Sequence, residues 1–207
     1  MIGGVISLIC GSGKISQCHL PSGWLVADHP LDEQVSGRWT AHQSEPASEF
    51  PERQHVSIEA KLQQLGITLP SPPPPGGVYT PVVVVDRMGY VSGQVPYGPD
   101  GKLIVGRVGS DLTEEEGAAA ARVVALTMLA TIKASLGSLD RVKRIVKVLG
   151  MVNCTADFQR HPAVMNGFSN TMVEIFGEAG KAARSAVGMG SLPYNVPVEV
   201  EAILELY

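Results

Sequence analysis

The strongest constraint on the fold lies near the carboxyl end, where Val196, Val198, Val200, Ala202, Leu204 and Leu206 interleave with Glu199, Glu201 and Glu205. Successive side chains of a strand point to opposite faces, so this period of two puts the apolar residues on one side and the carboxylates on the other. Such a strand belongs in a sheet that is covered on one face. Helices supply the cover. Thr113 with Glu116 three residues on forms a capping box, and Glu114 and Glu115 add favourable negative charge to the first turn. The Ala-rich body and Gly137 carry that helix to Leu136, and Val124, Leu126, Leu129 and Ile132 imply that much of it is buried. Pro162 opens a second helix holding Val164, Phe168, Met172 and Ile175, with Gly177 and Gly180 as stops.

The other strands are β-branched or aromatic runs. Residues 81–85 and 90–93 flank Asp86-Arg87-Met88-Gly89, which has the composition of a hairpin turn. A third strand is expected over 141–152, and two more over 183–192 and 196–206, joined by Pro193-Tyr194-Asn195. The order ββαβαββ, with two helices to cover one face of a sheet, argues an α+β fold rather than a doubly wound parallel one. Upstream, Ser57 is a plausible N-cap, and Ile58, Leu62 and Leu65 repeat at helical spacing as far as Gly66. Pro70 and the run from Pro72 to Pro75 then enforce an extended, polyproline-like connection.

Residues 1–55 lack periodicity and are punctuated by Gly, Ser and Pro, so they read as a disordered amino-terminal extension to a domain over 56–207. Gly11-Ser12-Gly13-Lys14 fails as a phosphate loop, because Leu8 stands where the first glycine is needed and Ile15 follows the lysine. Cys10, Cys18 and His19 match no zinc spacing, and no metal is expected. Three cysteines in all imply no disulfide framework and suit a reducing, cytoplasmic setting. Sixteen Lys and Arg against 20 Asp and Glu, for a net charge of −4, give no basic surplus for nucleic acid. Residues 2–10, the longest apolar stretch near the start, fall far short of the roughly 20 residues that span a bilayer, so no membrane association is expected.

Beyond residue chemistry there is a resemblance, carried jointly by Gly77-Val78-Tyr79, Val91-Ser92-Gly93-Gln94-Val95-Pro96, Ala183-Arg184-Ser185-Ala186-Val187-Gly188 with Leu192-Pro193, and Val198-Glu199-Val200-Glu201-Ala202. In this order they resemble the Rid (YjgF) family of enamine and imine deaminases, over nearly all of 56–207. The stretch from His161-Pro162 through Asn166-Gly167 to Phe176-Gly177 is similar to a divergent branch. The resemblance implies a chorismate-mutase-like subunit, a mixed sheet with two helices on one face, assembling as a homotrimer with ligand clefts between subunits. It also implies that Arg184 holds a ligand carboxylate, that Glu199 is the glutamate near the end, and that Tyr79 and Ser92 are further cleft positions. A second-helix asparagine is a family feature, with Asn166 and Asn170 as its candidates here. Ala186 departs from the pattern, standing where the family often has Cys.

Arg184 suits a carboxylate because a planar guanidinium grips it with two parallel charge-assisted hydrogen bonds. Glu199 either orients and deprotonates a water or is simply the exposed face of an alternating strand. Two functions stay open: hydrolysis of 2-imino or enamino acids to 2-keto acids and ammonia, without cofactor, and non-catalytic binding of small carboxylates such as keto acids. Ribonuclease activity is disfavoured by the acidic composition and by a core domain whose single histidine is His161. A chain shortened to begin at Val56 is expected to keep the melting temperature and assembly state of the whole; unfolding or insolubility of the shortened chain would make the extension structural.

Overall fold

A computed structural model describes residues 57–207; the extension over 1–55, with the Gly11–Lys14 stretch, Cys10, Cys18 and His19, lies outside the described residues. The alternating segment becomes strand β5 (Val198–Leu206), the middle of a five-stranded sheet in the order β1-β2-β5-β3-β4. Here β1 is Val82–Val85, β2 is Met88–Gln94, β3 is Val142–Asn153 and β4 is Ala183–Met189. All neighbours pair antiparallel except β3 and β4, which are parallel because α3 (His161–Phe176) crosses between them. A parallel pair needs such a crossover. The sheet is therefore mixed, as the fold class anticipated.

Val198, Val200, Ala202, Leu204 and Leu206 are buried, while Glu201 on the opposite face is exposed. Against the buried face lie α2 (Glu114–Leu136) and α3, which supply Val124, Met128, Leu129, Ile132, Phe168 and Met172 to the core. The capping box of α2 forms in full, with Thr113 Oγ1 accepting from Glu116 N and Glu116 Oε2 accepting from Thr113 N. At 23 residues α2 is long and apolar enough to cross a membrane by composition alone. Twelve of its residues are buried within the domain, which accounts for that character as a core helix.

A third helix adds to the two expected on this face: α1 (Ile58–Gln64), capped by Ser57, buries Ile58 and Leu62 in the same core. Its amphipathic spacing was legible, but its docking depends on Asp140, whose Oδ1 accepts from Ile58 N at 2.6 Å. Strand ends also differ from expectation. Residues 139–141 form a 3-10 turn before β3, and the last two strands stop at Met189 and begin at Val198, because residues 193–195 make a tight turn in which Tyr194 and Asn195 take positive φ, and Pro197 has no N–H to donate. The hairpin turn is tighter than its composition implied: Val85 pairs with Met88, so only Asp86, at φ 52°, and Arg87 make the turn.

The two long helices approach closely where Gly167 of α3 faces Ala118 of α2, and a Cβ there would overlap the Ala118 carbonyl. Arg122 reinforces the pair by donating to Thr171 Oγ1 at 3.2 Å and Glu174 Oε2 at 3.0 Å, and Arg160 forks onto Glu114. Gly167→Ala forces backbone apart from backbone, which no rotamer change relieves, and is expected to destabilise by about 1–3 kcal/mol. Thermal or urea unfolding of that variant checks it.

Candidate functional site

Parity along β3 decides where the candidate residues point. Arg184 of β4 is opposite Val148, a buried residue on the helix-covered face, whereas Glu199 of β5 is opposite Met151, three positions further along. An odd separation reverses the face. Arg184 accordingly turns toward α3, and Glu199 turns away from the core.

On the helix side, Arg184 Nη1 donates to Ser169 Oγ at 2.8 Å and to Asn166 Oδ1 at 3.2 Å, and Nη2 donates to the Pro162 carbonyl at 3.3 Å. Three of the five guanidinium N–H groups are thus committed to α3, which leaves two for a ligand. Asn166 and Ser169 are one helical turn apart, so one stripe of α3 holds the arginine. Asn170 lines the same open hollow of about 780 Å3 without bonding Arg184, which selects Asn166 as the second-helix asparagine that meets it. Partial burial lowers the Arg184 pKa through desolvation.

The other candidates gather elsewhere. Tyr79, Ser92 and Glu199 line one cleft of about 360 Å3, with the proline run 73–75 forming one wall. Gly93 leaves the space that the Glu199 carboxylate occupies: a Cβ there would overlap Oε1 and turn the glutamate side chain aside. Burial raises the Glu199 pKa, and the nearby Glu201 carboxylate raises it further. Tyr79 closes a local loop after the proline run, its hydroxyl accepting from Gly76 N at 3.1 Å.

Ser92 sits in a bulge, where the pairing of β2 with β5 shifts register between Val91 and Gln94. Buried Gln94 holds that bulge by donating from Nε2 to Ser92 O at 3.3 Å, Ser92 Oγ at 3.4 Å and Gly93 O at 3.3 Å. Its own Oε1 accepts from Thr131 Oγ1 of α2 at 2.8 Å. Sequence reasoning missed Ser169, Gln94 and Thr131. The spacing of Asn166 and Ser169 on a helix signals the first; nothing in the sequence pairs Gln94 with a threonine 37 positions away.

Five candidates therefore form two groups on opposite faces of one sheet: Arg184 with Asn166, and Glu199 with Ser92 and Tyr79. Among the described residues no cluster of three or more His, Cys, Asp or Glu is placed to hold a metal. Away from both groups, Cys154 and His161 face one another, Sγ to Nε2, at 3.3 Å, with the imidazole edge-on to Phe158. Burial pushes the Cys154 thiol up, so it is held as the neutral form.

A mixed sheet backed by helices, an arginine paired with a helix asparagine and a cleft glutamate on the last strand define the class as a chorismate-mutase-like α+β domain. The family described as "YjgF/chorismate_mutase-like, putative endoribonuclease" matches residues 59–206, and the chain belongs to that family. Protein TCP17 of Trypanosoma cruzi is 43% identical over 150 residues, which are 72% of this chain and 94% of that protein. A protein of unknown function from Agrobacterium tumefaciens, Atu1372, is similar in structure, with a TM-score of 0.66 at 39% identity over 73% of this chain and 94% of its own. A "putative endoribonuclease" from Shewanella oneidensis is also similar in structure, with a TM-score of 0.69 at 35% identity, covering 72% of this chain and 99% of the other.

The raised pKa of Glu199 has a sign that can be tested. Below the ordinary glutamate value, 4.5, the group is protonated folded or unfolded and contributes nothing. As pH rises, the unfolded chain ionises first, so stability is lost between the ordinary value and the raised folded one, and the loss is complete above it. Glu199→Gln should melt above the wild type at neutral pH, with the gap closing as pH falls to the ordinary glutamate value. Melting curves across that range that stay parallel would show the carboxylate to be fully solvated.

Proposed function

We propose that the protein hydrolyses reactive 2-imino and enamino acids to 2-keto acids and ammonia, in clefts completed between copies of a homotrimer. The observation that carries this is the pair of half-sites. A carboxylate clamp and a base lie on opposite faces of one sheet, so no small substrate reaches both within one chain. A second copy brings its Arg184 to the Glu199 cleft of the first. The sheet face turned from the helices supports assembly, because Val83, Tyr90 and Val187 are exposed there, and Leu149 and Ile203 line a groove beside Tyr90. Apolar surface of that kind marks an interaction site.

The chemistry follows from the groups. A protonated imine carbon is already electrophilic, so the site must hold the carboxylate, place one water and take one proton. Arg184 does the first. Glu199, its pKa raised by burial, removes one water proton as oxygen bonds to carbon and returns it to nitrogen; it then takes the remaining hydroxyl proton as C=O forms and the C–N bond of the tetrahedral adduct breaks, and passes that proton to the departing ammonia. Water and the iminium thus become a ketone and ammonium, with no redox change and no cofactor required. Ser92, steadied by Gln94, offers a hydroxyl at the same cleft. Ribonuclease chemistry finds less support: His161, the one histidine among the described residues, is engaged with Cys154 outside the cleft.

The test is an amino-acid oxidase that generates imines, with keto-acid formation followed with and without the protein. Arg184→Ala should lose about 2–4 kcal/mol of transition-state stabilisation, the scale of a charged hydrogen-bond clamp. Arg184→Lys should recover part, since an ammonium keeps the charge without the fork. Its bonds to α3 are partly exposed, so the unfolding free energy should fall by about 1 kcal/mol. Glu199→Gln should abolish turnover and keep affinity for keto acids. Carboxylate binding with no acceleration of any imine would assign the site to binding alone, and a monomer mass by light scattering would remove the shared cleft.

A further inference from the structure

The Glu199 cleft has a polar floor and an apolar rim. Ser92, Gln94 and Glu199 group at the sheet, while Pro73, Pro74 and Pro75 form one wall and Tyr97 and Tyr194 contribute to the lining. The wall is preformed. Proline rings have no backbone N–H and a fixed φ, so this segment presents C–H surface with little ordering left to do on binding. Tyr79, bonded to Gly76 N in the loop that follows, also lines the cleft.

Tyr194 is the unusual member. It is 70% exposed and holds φ 55°, ψ 17°, followed by Asn195 at φ 58°. Two consecutive side-chain-bearing residues in the left-handed region are strained, and a bulky tyrosine there is an outlier. The surroundings enforce it: Asn153, buried at the end of β3, donates Nδ2 to Asn195 Oδ1 at 3.0 Å, and Gly106 N donates to the Asn195 carbonyl at 2.8 Å. A turn this constrained would be satisfied by glycine at 194. Instead it displays an aromatic ring at the mouth of the cleft, where the ring covers no core.

We propose that Tyr194 and the Pro73–Pro75 wall form a side-chain subsite that selects 2-imino acids bearing a large branched or aromatic side chain over those with a methyl group. This rests on the deaminase reading for turnover, and on the cleft alone for binding. The substrate's reacting carbon sits at the polar floor beside Glu199, and its side chain leaves water against proline and tyrosine. Reactions that feed the site are then oxidations of large apolar amino acids at the α-carbon.

The experiment uses the full chain and two panels. In the first, an amino-acid oxidase supplies imines of leucine, phenylalanine and alanine, and kcat/KM is measured for each. In the second, 4-methyl-2-oxopentanoate, phenylpyruvate and pyruvate are titrated directly. The wild type should favour the large members over the methyl member by about 10-fold or more, the range for added apolar groups in a fitted pocket. Tyr194→Ala should cut that ratio several-fold and Tyr194→Phe should keep it. Tyr194→Gly should cut it too while melting no lower than the wild type, since glycine adopts φ 55° without strain. Equal treatment of large and small ligands by the wild type, or a ratio unmoved in Tyr194→Ala and Tyr194→Gly, overturns the subsite. If no imine is hydrolysed faster, the deaminase reading falls, and the keto-acid titration still decides the subsite by the same ratios.

Discussion

One-sided burial of β5 organises everything else in this domain. Because it is the middle strand, its buried Val200, Leu204 and Leu206 decide which face of the sheet receives α2 and α3. Its pairing with β3, and that of β3 with β4, then fixes the direction of every neighbour. A one-residue slip would bring Glu199 into the core and carry apolar residues out of it, at a cost no other contact offsets. Glu199 and Arg184 thus face opposite ways for the same reason that the core is sealed.

Both helices do more than cover the sheet. Thr131 of α2 is buried and bonds Gln94, which in turn braces the bulge that carries Ser92. On α3, Asn166 and Ser169 hold Arg184 by Nη1, restricting the rotamers of a long side chain before any ligand arrives. Loss of rotamer freedom is a binding cost met during folding instead. Gly167 allows the two helices to approach closely enough for these supports to act from one layer.

Departures from local preference concentrate at the cleft. A carboxylate is half-buried in space left open by a glycine, a strand bulges, and a tyrosine takes a backbone conformation suited to glycine. Each lowers stability and persists because surrounding bonds over-determine it, as functional sites commonly do. Elsewhere the chain follows its propensities, as the full capping box at Thr113 and the Ser57 cap show.

Much of the fold was legible along the chain. The period of two in β5, the capping box and Gly137 of α2, and Pro162 of α3 report local backbone preference and one-sided burial, which act within a few residues. The family resemblance carried by residues 183–188 and 198–202 marked Arg184 and Glu199 as residues to watch. What no local pattern carries is distance between elements. That Asp140 docks α1, that Thr131 reaches Gln94, that Asn166 rather than Asn170 meets Arg184, and that Arg184 and Glu199 lie on opposite faces follow from strand register and helix packing. Register is set by the joint burial of the central strands under the helices, a property of the closed core and not of any segment within it.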